Sequence, residues 1–120
     1  MQKKSSDSVK ITYLDKPGIM KAITLMVDDL SQKHPEIEEI YLFGSLARDE
    51  AVPGSDADIL IVLTDSPLSF MDRMTIYMPS SFPIGLEIFP YTRREMETMI
   101  EQGNYFLKSA KNDSILLFAR

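Results

Sequence analysis

Apolar residues recur at Ile19, Ile23, Met26, Val27 and Leu30, the spacing of one helix face, behind Asp15 as an N-cap and Pro17 in the first turn. This predicts an amphipathic helix ending near His34-Pro35. The period then changes. Ile37 to Phe43 is rich in β-branched and aromatic residues and stops at Gly44; a short helix and the loop Val52-Pro53-Gly54-Ser55 are expected next. Ala57 to Thr64 is apolar on both alternations, as a central strand covered on both sides should be. Met71 to Met78 reads as a helix cut off at Pro79. Ile84 to Phe89 reads as a strand ended by Pro90, with Ile84, Leu86 and Ile88 on one face and Gly85, Glu87 and Phe89 on the other. Thr92, with Glu95 in the capping-box position, opens a helix through Gln102 that Gly103 closes; Tyr105 to Lys108 and a strand over Ile115 to Phe118 follow. The order is α/β, with no internal repeat. Residues 1–10 read as a flexible N-terminus, Ile11 to Leu14 as an edge strand or lead-in, and 11–120 as a single domain.

Composition narrows the chemistry. A chain of 120 residues, 44% hydrophobic and 26% charged, suits one globular unit. It contains no Cys, which removes disulfides, thiolate metal sites and a cysteine nucleophile. No signal peptide or membrane span is visible, so a cytoplasmic location is the default expectation. The net charge is −5, and Glu36 to Asp65 holds eight acidic residues against Arg48 alone. Sequence-independent affinity for nucleic acid comes largely from Lys and Arg, so DNA or RNA is not expected as the main partner. A nucleotide carried with its own divalent cation remains acceptable.

The candidate chemistry lies in Phe43-Gly44-Ser45-Leu46-Ala47-Arg48 and in Ser55-Asp56-Ala57-Asp58, with ten residues between Ser45 and Asp56. Gly44 lacks a Cβ, so the backbone can approach a ligand, and a helix opening at Ser45 would aim free N–H groups at an anion. A triphosphate suits that place. Asp56 and Asp58 stand two apart where a strand begins, so both carboxylates point to one side and can share two divalent ions about 3.5–4 Å apart. Carboxylates this close repel each other and tend to take up protons unless a cation favours the ionised forms. Mg²⁺ is the natural cation, since it prefers oxygen ligands from one or two carboxylates plus substrate phosphates, with Mn²⁺ as the alternative. Glu87 adds a third carboxylate, able to bind metal and to accept the proton of an attacking hydroxyl.

These residues resemble the signature of the DNA polymerase beta-like nucleotidyltransferase superfamily: Gly-Ser, a spacer, Asp-x-Asp, and a third acid on a later strand. The resemblance runs from about Leu14 to Phe118 and is nearest to the short branch, the minimal nucleotidyltransferases. It implies that superfamily's α/β fold, a small mixed β-sheet flanked by α-helices. It implies that Gly44, Ser45 and Arg48 contact a nucleoside triphosphate, and that Asp56, Asp58 and Glu87 bind two Mg²⁺ ions and are the catalytic residues. The implied reaction moves a nucleoside monophosphate, AMP from ATP, to a hydroxyl of a protein or small molecule. Relatives of this size are often paired with a HEPN-domain protein, so the resemblance also implies a partner of that kind and the antitoxin role in a toxin–antitoxin system. Two positions depart from the pattern: Asp49 replaces a Gly common after the Arg, and the third acid is Glu87 rather than Asp.

Each residue also has a plainer reading. Asp56 and Asp58 can be turn and strand-entry residues, Gly44-Ser45 an ordinary strand end, Glu87 an exposed strand acid, and Arg48 a surface partner of Asp49 or Glu50. A non-catalytic nucleotide- or partner-binding module with the same fold is therefore the alternative function. His34 is expected to be structural or solvated, Met71, Met74 and Met78 to fill core gaps, and Arg93 and Arg94 to form a solvated helix face.

Overall fold

The computed structural model describes residues 14–120. The N-terminal segment 1–10 and the strand or lead-in expected over Ile11 to Leu14 fall outside it, except for Leu14, which precedes the first helix and packs against the core. The elements are α1 (Lys16–Lys33), β1 (Ile37–Phe43), β2 (Ala57–Leu63), α2 (Phe70–Tyr77), β3 (Leu86–Thr92), α3 (Arg93–Glu101), α4 (Tyr105–Asn112) and β4 (Ile115–Ala119).

The strands form one mixed sheet in the order β3-β2-β1-β4. β1 runs antiparallel to β2 and β4, and β2 runs parallel to β3. That parallel pair needs a crossover, which α2 supplies along the outer edge of β3. β2 is central, and Ile59 to Leu63 are wholly buried, as its unbroken apolar run requires. Ile59, Ile61 and Leu63 face α1, whereas Leu60 and Val62 face Met96 of α3 and Leu107 and Ala110 of α4. The sheet thus separates two cores.

α1 begins where Asp15 accepts from the Gly18 amide at 3.1 Å, and it buries Ile19, Ile23, Met26, Val27 and Leu30. α3 begins with a complete capping box between Thr92 and Glu95. The segment after Gly103, assigned no type from the pattern, is a helix because the Asn104 side chain caps it through the Leu107 amide at 3.0 Å.

Three expectations need correction. Pro90 does not end β3; the strand continues to Thr92. β3 is an edge strand, and the Pro90 carbonyl turns to Nη1 of Arg73 in α2 at 3.1 Å, so the missing N–H is not needed by the ladder to β2. Met71 of α2 and Met78 just after it do not fill the core, being 71% and 39% exposed, and Met74 is half-buried, because α2 turns Arg73 and Tyr77 inward instead. Arg93 is not merely solvated, since its guanidinium donates to Glu38 Oε1 at 2.6 and 3.0 Å and ties α3 to β1. His34 meets the Tyr77 ring edge-on at 4.9 Å beside Glu36, in keeping with a structural role.

Among the described residues Arg73 is the buried charge, 4% exposed. Glu95 grips it with both oxygens at 2.7 and 3.0 Å, and the Leu68 carbonyl accepts from its Nε at 3.0 Å. Arg73 in turn holds the Glu95 carboxyl below its ordinary pKa of 4.5. A depressed acid contributes stability that is complete above the unfolded pKa and lost as pH falls through the folded one. Glu95→Gln keeps the cap but leaves a buried guanidinium unpaired. It should cost about 2–3 kcal/mol, less than the ~3–5 of a fully buried pair because Glu95 is partly exposed. Glu38→Gln, at a more exposed pair, should cost at most about 1 kcal/mol. Urea unfolding at neutral pH checks both, and the Glu95→Gln deficit should shrink as the medium is made more acid than pH 4.5.

Candidate active site

β1 delivers the chain to Gly44, whose φ of +77° suits a residue without a side chain. The expected short helix is absent: residues 45–49 form turns. The Arg48 amide returns to the Gly44 carbonyl at 3.1 Å and the Glu50 amide to Ser45 at 2.8 Å. Asp49 then closes the turn with a φ of 59°, a left-handed conformation that Asp tolerates better than most residues. This accounts for an Asp where relatives use Gly, and Lys16 of α1 pairs with its carboxylate. The amides of Ser45, Leu46 and Ala47 meet no acceptor among the described residues, so the turn still offers a run of N–H donors to an anion.

Strand register assembles the acids. Asp58, second in β2, lies opposite Phe43 of β1 and beside Glu87 of β3. Asp56 sits one residue before β2, next to Gly85, whose carbonyl accepts from the Ala57 amide at 2.9 Å. Both aspartates rest against glycines: a Cβ on Gly44 would strike Asp58 Oδ2, and one on Gly85 would strike Asp56 Oδ1. The sequence motif does not include Gly85, although a Gly inside a strand-like run is a signal of close approach.

Burial first, then the charges of Glu87 and Asp56, push the Asp58 carboxyl from 3.8 up to about 6, with Arg48 pulling the other way. Asp58 therefore senses both neighbouring acids. The three acids do not form a closed cage: among the described residues, no three acidic or histidine side chains are gathered tightly enough to enclose one ion. The donor set is nevertheless all oxygen, negatively charged and open to water, which fits a hard divalent cation whose remaining ligands are water and phosphate.

Arg48 lines a hollow of about 220 Å³ together with Phe43, Gly44, Phe106, Ser109 and Asp113. Its Nε donates to Glu50 at 2.9 Å, an exposed pair that can give way to a stronger anion at little cost. Phe43, Phe89 and Phe106 pack ring against ring, with centroids 5.2 to 5.5 Å apart, on the sheet face that carries Asp58. Nothing in the sequence pointed to Phe106 or Asp113, because their approach depends on how α4 folds back over β1.

The nucleotidyltransferase domain family matches residues 23–107, and the chain belongs to that family. Solved structures share its fold, three of them as follows. A protein of Sulfolobus solfataricus described as a candidate nucleotidyltransferase is 23% identical, with a TM-score of 0.63 over 88% of this chain and 84% of its own. A toxin–antitoxin complex with AMP-PNP is 19% identical, with a TM-score of 0.51 over 89% of this chain and 75% of its own. An MntA-HpeT toxin–antitoxin variant with two Asp-to-Glu substitutions is 17% identical, with a TM-score of 0.50 over the same shares. None of the curated proteins gives a significant match. Among the described residues, no helix is long and apolar enough to cross a membrane.

Gly85→Ala tests the seat of Asp56. Gly85, just before β3, needs no positive φ, so an alanine suits the backbone there and collides only with the carboxylate. The variant should keep its circular dichroism spectrum while the thermal shift produced by Mg²⁺ with ATP is lost. An unchanged shift would show that Asp56 does not depend on that glycine.

Proposed function

We propose that this nucleotidyltransferase moves a nucleoside monophosphate, AMP from ATP, to a hydroxyl of a protein or small-molecule acceptor. The observation that carries the reading is the arrangement of Asp56 and Asp58, each seated against a glycine, with Glu87 on the neighbouring strand and the free amides of Ser45 to Ala47 beside them. The amides hold the triphosphate tail, and Arg48 leaves Glu50 to pair with it. Asp56 and Asp58, with Glu87, would hold two Mg²⁺ ions, which neutralise phosphate charge when bound. Glu87 would take the proton of the acceptor hydroxyl. The acceptor oxygen then bonds to the α-phosphorus, the bridging P–O bond breaks, and pyrophosphate departs.

The neighbours support a partner as well. One toxin–antitoxin structure holds AMP-PNP, an ATP analogue, and the substituted aspartates of the other stand two positions apart, as Asp56 and Asp58 do. We place this chain as the antitoxin of a similar pair, with a HEPN-domain protein as its partner and acceptor, working away from membranes in the cytoplasm. The second reading, a binding module that acts by contact alone, draws on the lack of a closed cage and on the exposed Glu87.

Incubation with Mg²⁺, ATP labelled at the α-phosphate and the partner separates the two. Label should pass to the partner. Asp56→Asn with Asp58→Asn should abolish transfer, and Glu87→Gln should slow it by about 10²–10⁴-fold, as expected for loss of a general base. No label transfer, together with a double aspartate variant that neutralises its partner as well as the parent does, would leave the contact reading standing.

A further inference from the structure

We propose that the hollow between α2, the end of β3 and α3 is a second ligand site, for a small planar molecule carrying one carboxylate. Phe70, Tyr91, Arg94, Glu95, Thr98 and Met99 line a cavity of about 450 Å³. Phe70 and Tyr91 pack at 4.8 Å with their planes 37° apart and form an aromatic floor, and Met99 adds an adaptable, polarisable wall.

Its polar groups select the ligand. Five arginines are described, and four are bound: Arg48 to Glu50, Arg73 to Glu95, Arg93 to Glu38, and Arg120 to the carbonyls of Ile37 and Ser31. Arg94 has no partner among the described residues. Glu95, although it lines the same hollow, cannot neutralise Arg94, because both its oxygens are held by Arg73 and one also accepts from the Thr92 amide. The hollow therefore offers one uncommitted guanidinium in a chain whose net charge is −5. The hydroxyls of Tyr91 and Thr98 likewise have no hydrogen-bond partner among the described residues. Burial, with the nearby Glu95 charge, raises the Tyr91 phenol above its ordinary pKa, so it is a donor at neutral pH.

A forked guanidinium matches a carboxylate with two parallel hydrogen bonds, and a flat apolar body buries against the rings. One cation beside an acid suits a monoanion better than a phosphate dianion. The hollow is separate from the candidate active site: Tyr91 lies four residues beyond Glu87, about 13 Å along the strand, with the packed Phe89 ring between. A small molecule held here is not the acceptor of nucleotidyl transfer, and its binding does not depend on that reaction.

Backbone-amide NMR of the full chain, titrated with 2-naphthoate and with uncharged 2-naphthalenemethanol, tests the assignment. The naphthoate should shift Tyr91, Thr98 and Met99 saturably and bind at least about fivefold tighter than the alcohol, the worth of one accessible ion pair. Arg94→Gln should erase that preference while leaving the rest of the spectrum in place, and Thr98→Phe should fill the hollow and abolish both interactions. Two other surface hollows, one lined by Leu25 and Phe82 and one by Met71 and Met78, serve as controls. Equal affinities, a preference that survives Arg94→Gln, absence of saturable shifts, or shifts confined to those two hollows would each overturn it.

Discussion

The rung on which Phe43, Asp58 and Glu87 lie side by side is the constraint from which the rest follows. β1 runs against β2 and β3 runs with it, so the end of β1 meets the beginnings of both other strands at one margin of the sheet. A slip of one residue in β2 would turn Asp58 towards α1 and drive its apolar neighbours to the wrong face. Ile59, Ile61 and Leu63 on one side and Leu60 and Val62 on the other make that slip costly, because all five are fully buried. The register that packs the cores is also the register that assembles the acids.

Charge distribution separates acids that hold the fold from acids available for chemistry. Arg73 lowers the Glu95 carboxyl, Arg93 that of Glu38 and Lys16 that of Asp49, and each carboxylate has its partner within the chain. Asp58 shifts the other way, raised first by burial and then by Glu87 and Asp56, with Arg48, whose guanidinium is engaged with Glu50, pulling against them. An acid that folding makes harder to ionise is kept at the expense of the metal-free protein's stability.

Much of this could be read from the chain. The apolar run after Asp58 identified the central strand, the helical spacing from Ile19 to Leu30 identified α1, and the Thr92–Glu95 pair marked the start of α3, because each signal is local and the fold reinforces it. The failures share a cause as well. Whether Pro90 breaks a strand depends on which edge it occupies, whether Arg93 is solvated depends on the proximity of β1, and whether Met71 is buried depends on which side of α2 meets the sheet. The turn after Gly44 looked like a helix because its composition allows one; the left-handed Asp49 ends it. Gly44 and the paired aspartates were visible as a motif, whereas the seating of Asp56 on Gly85 joins positions far apart in the chain and became visible only in three dimensions.

The lengths of the helices explain why the chemistry collects on one face. α1 has 18 residues, about 27 Å, enough to run the full length of seven-residue strands of about 23 Å. The opposite face is covered by α3 and α4, of 9 and 8 residues, separated by the break at Gly103 with its φ of +82°. Helices of about 12–14 Å cannot close such a face, so it stays open at both ends of the strands. At one end the opening exposes Asp58 and Glu87 beside the amide-lined turn; at the other it exposes the Tyr91 ring beside Arg94. The aromatic packing of Phe43, Phe89 and Phe106 fills the span between and keeps the two openings apart. A short chain thereby keeps one face for stability and leaves the other with two places where polar groups meet solvent next to apolar walls, the condition under which small ligands are recognised.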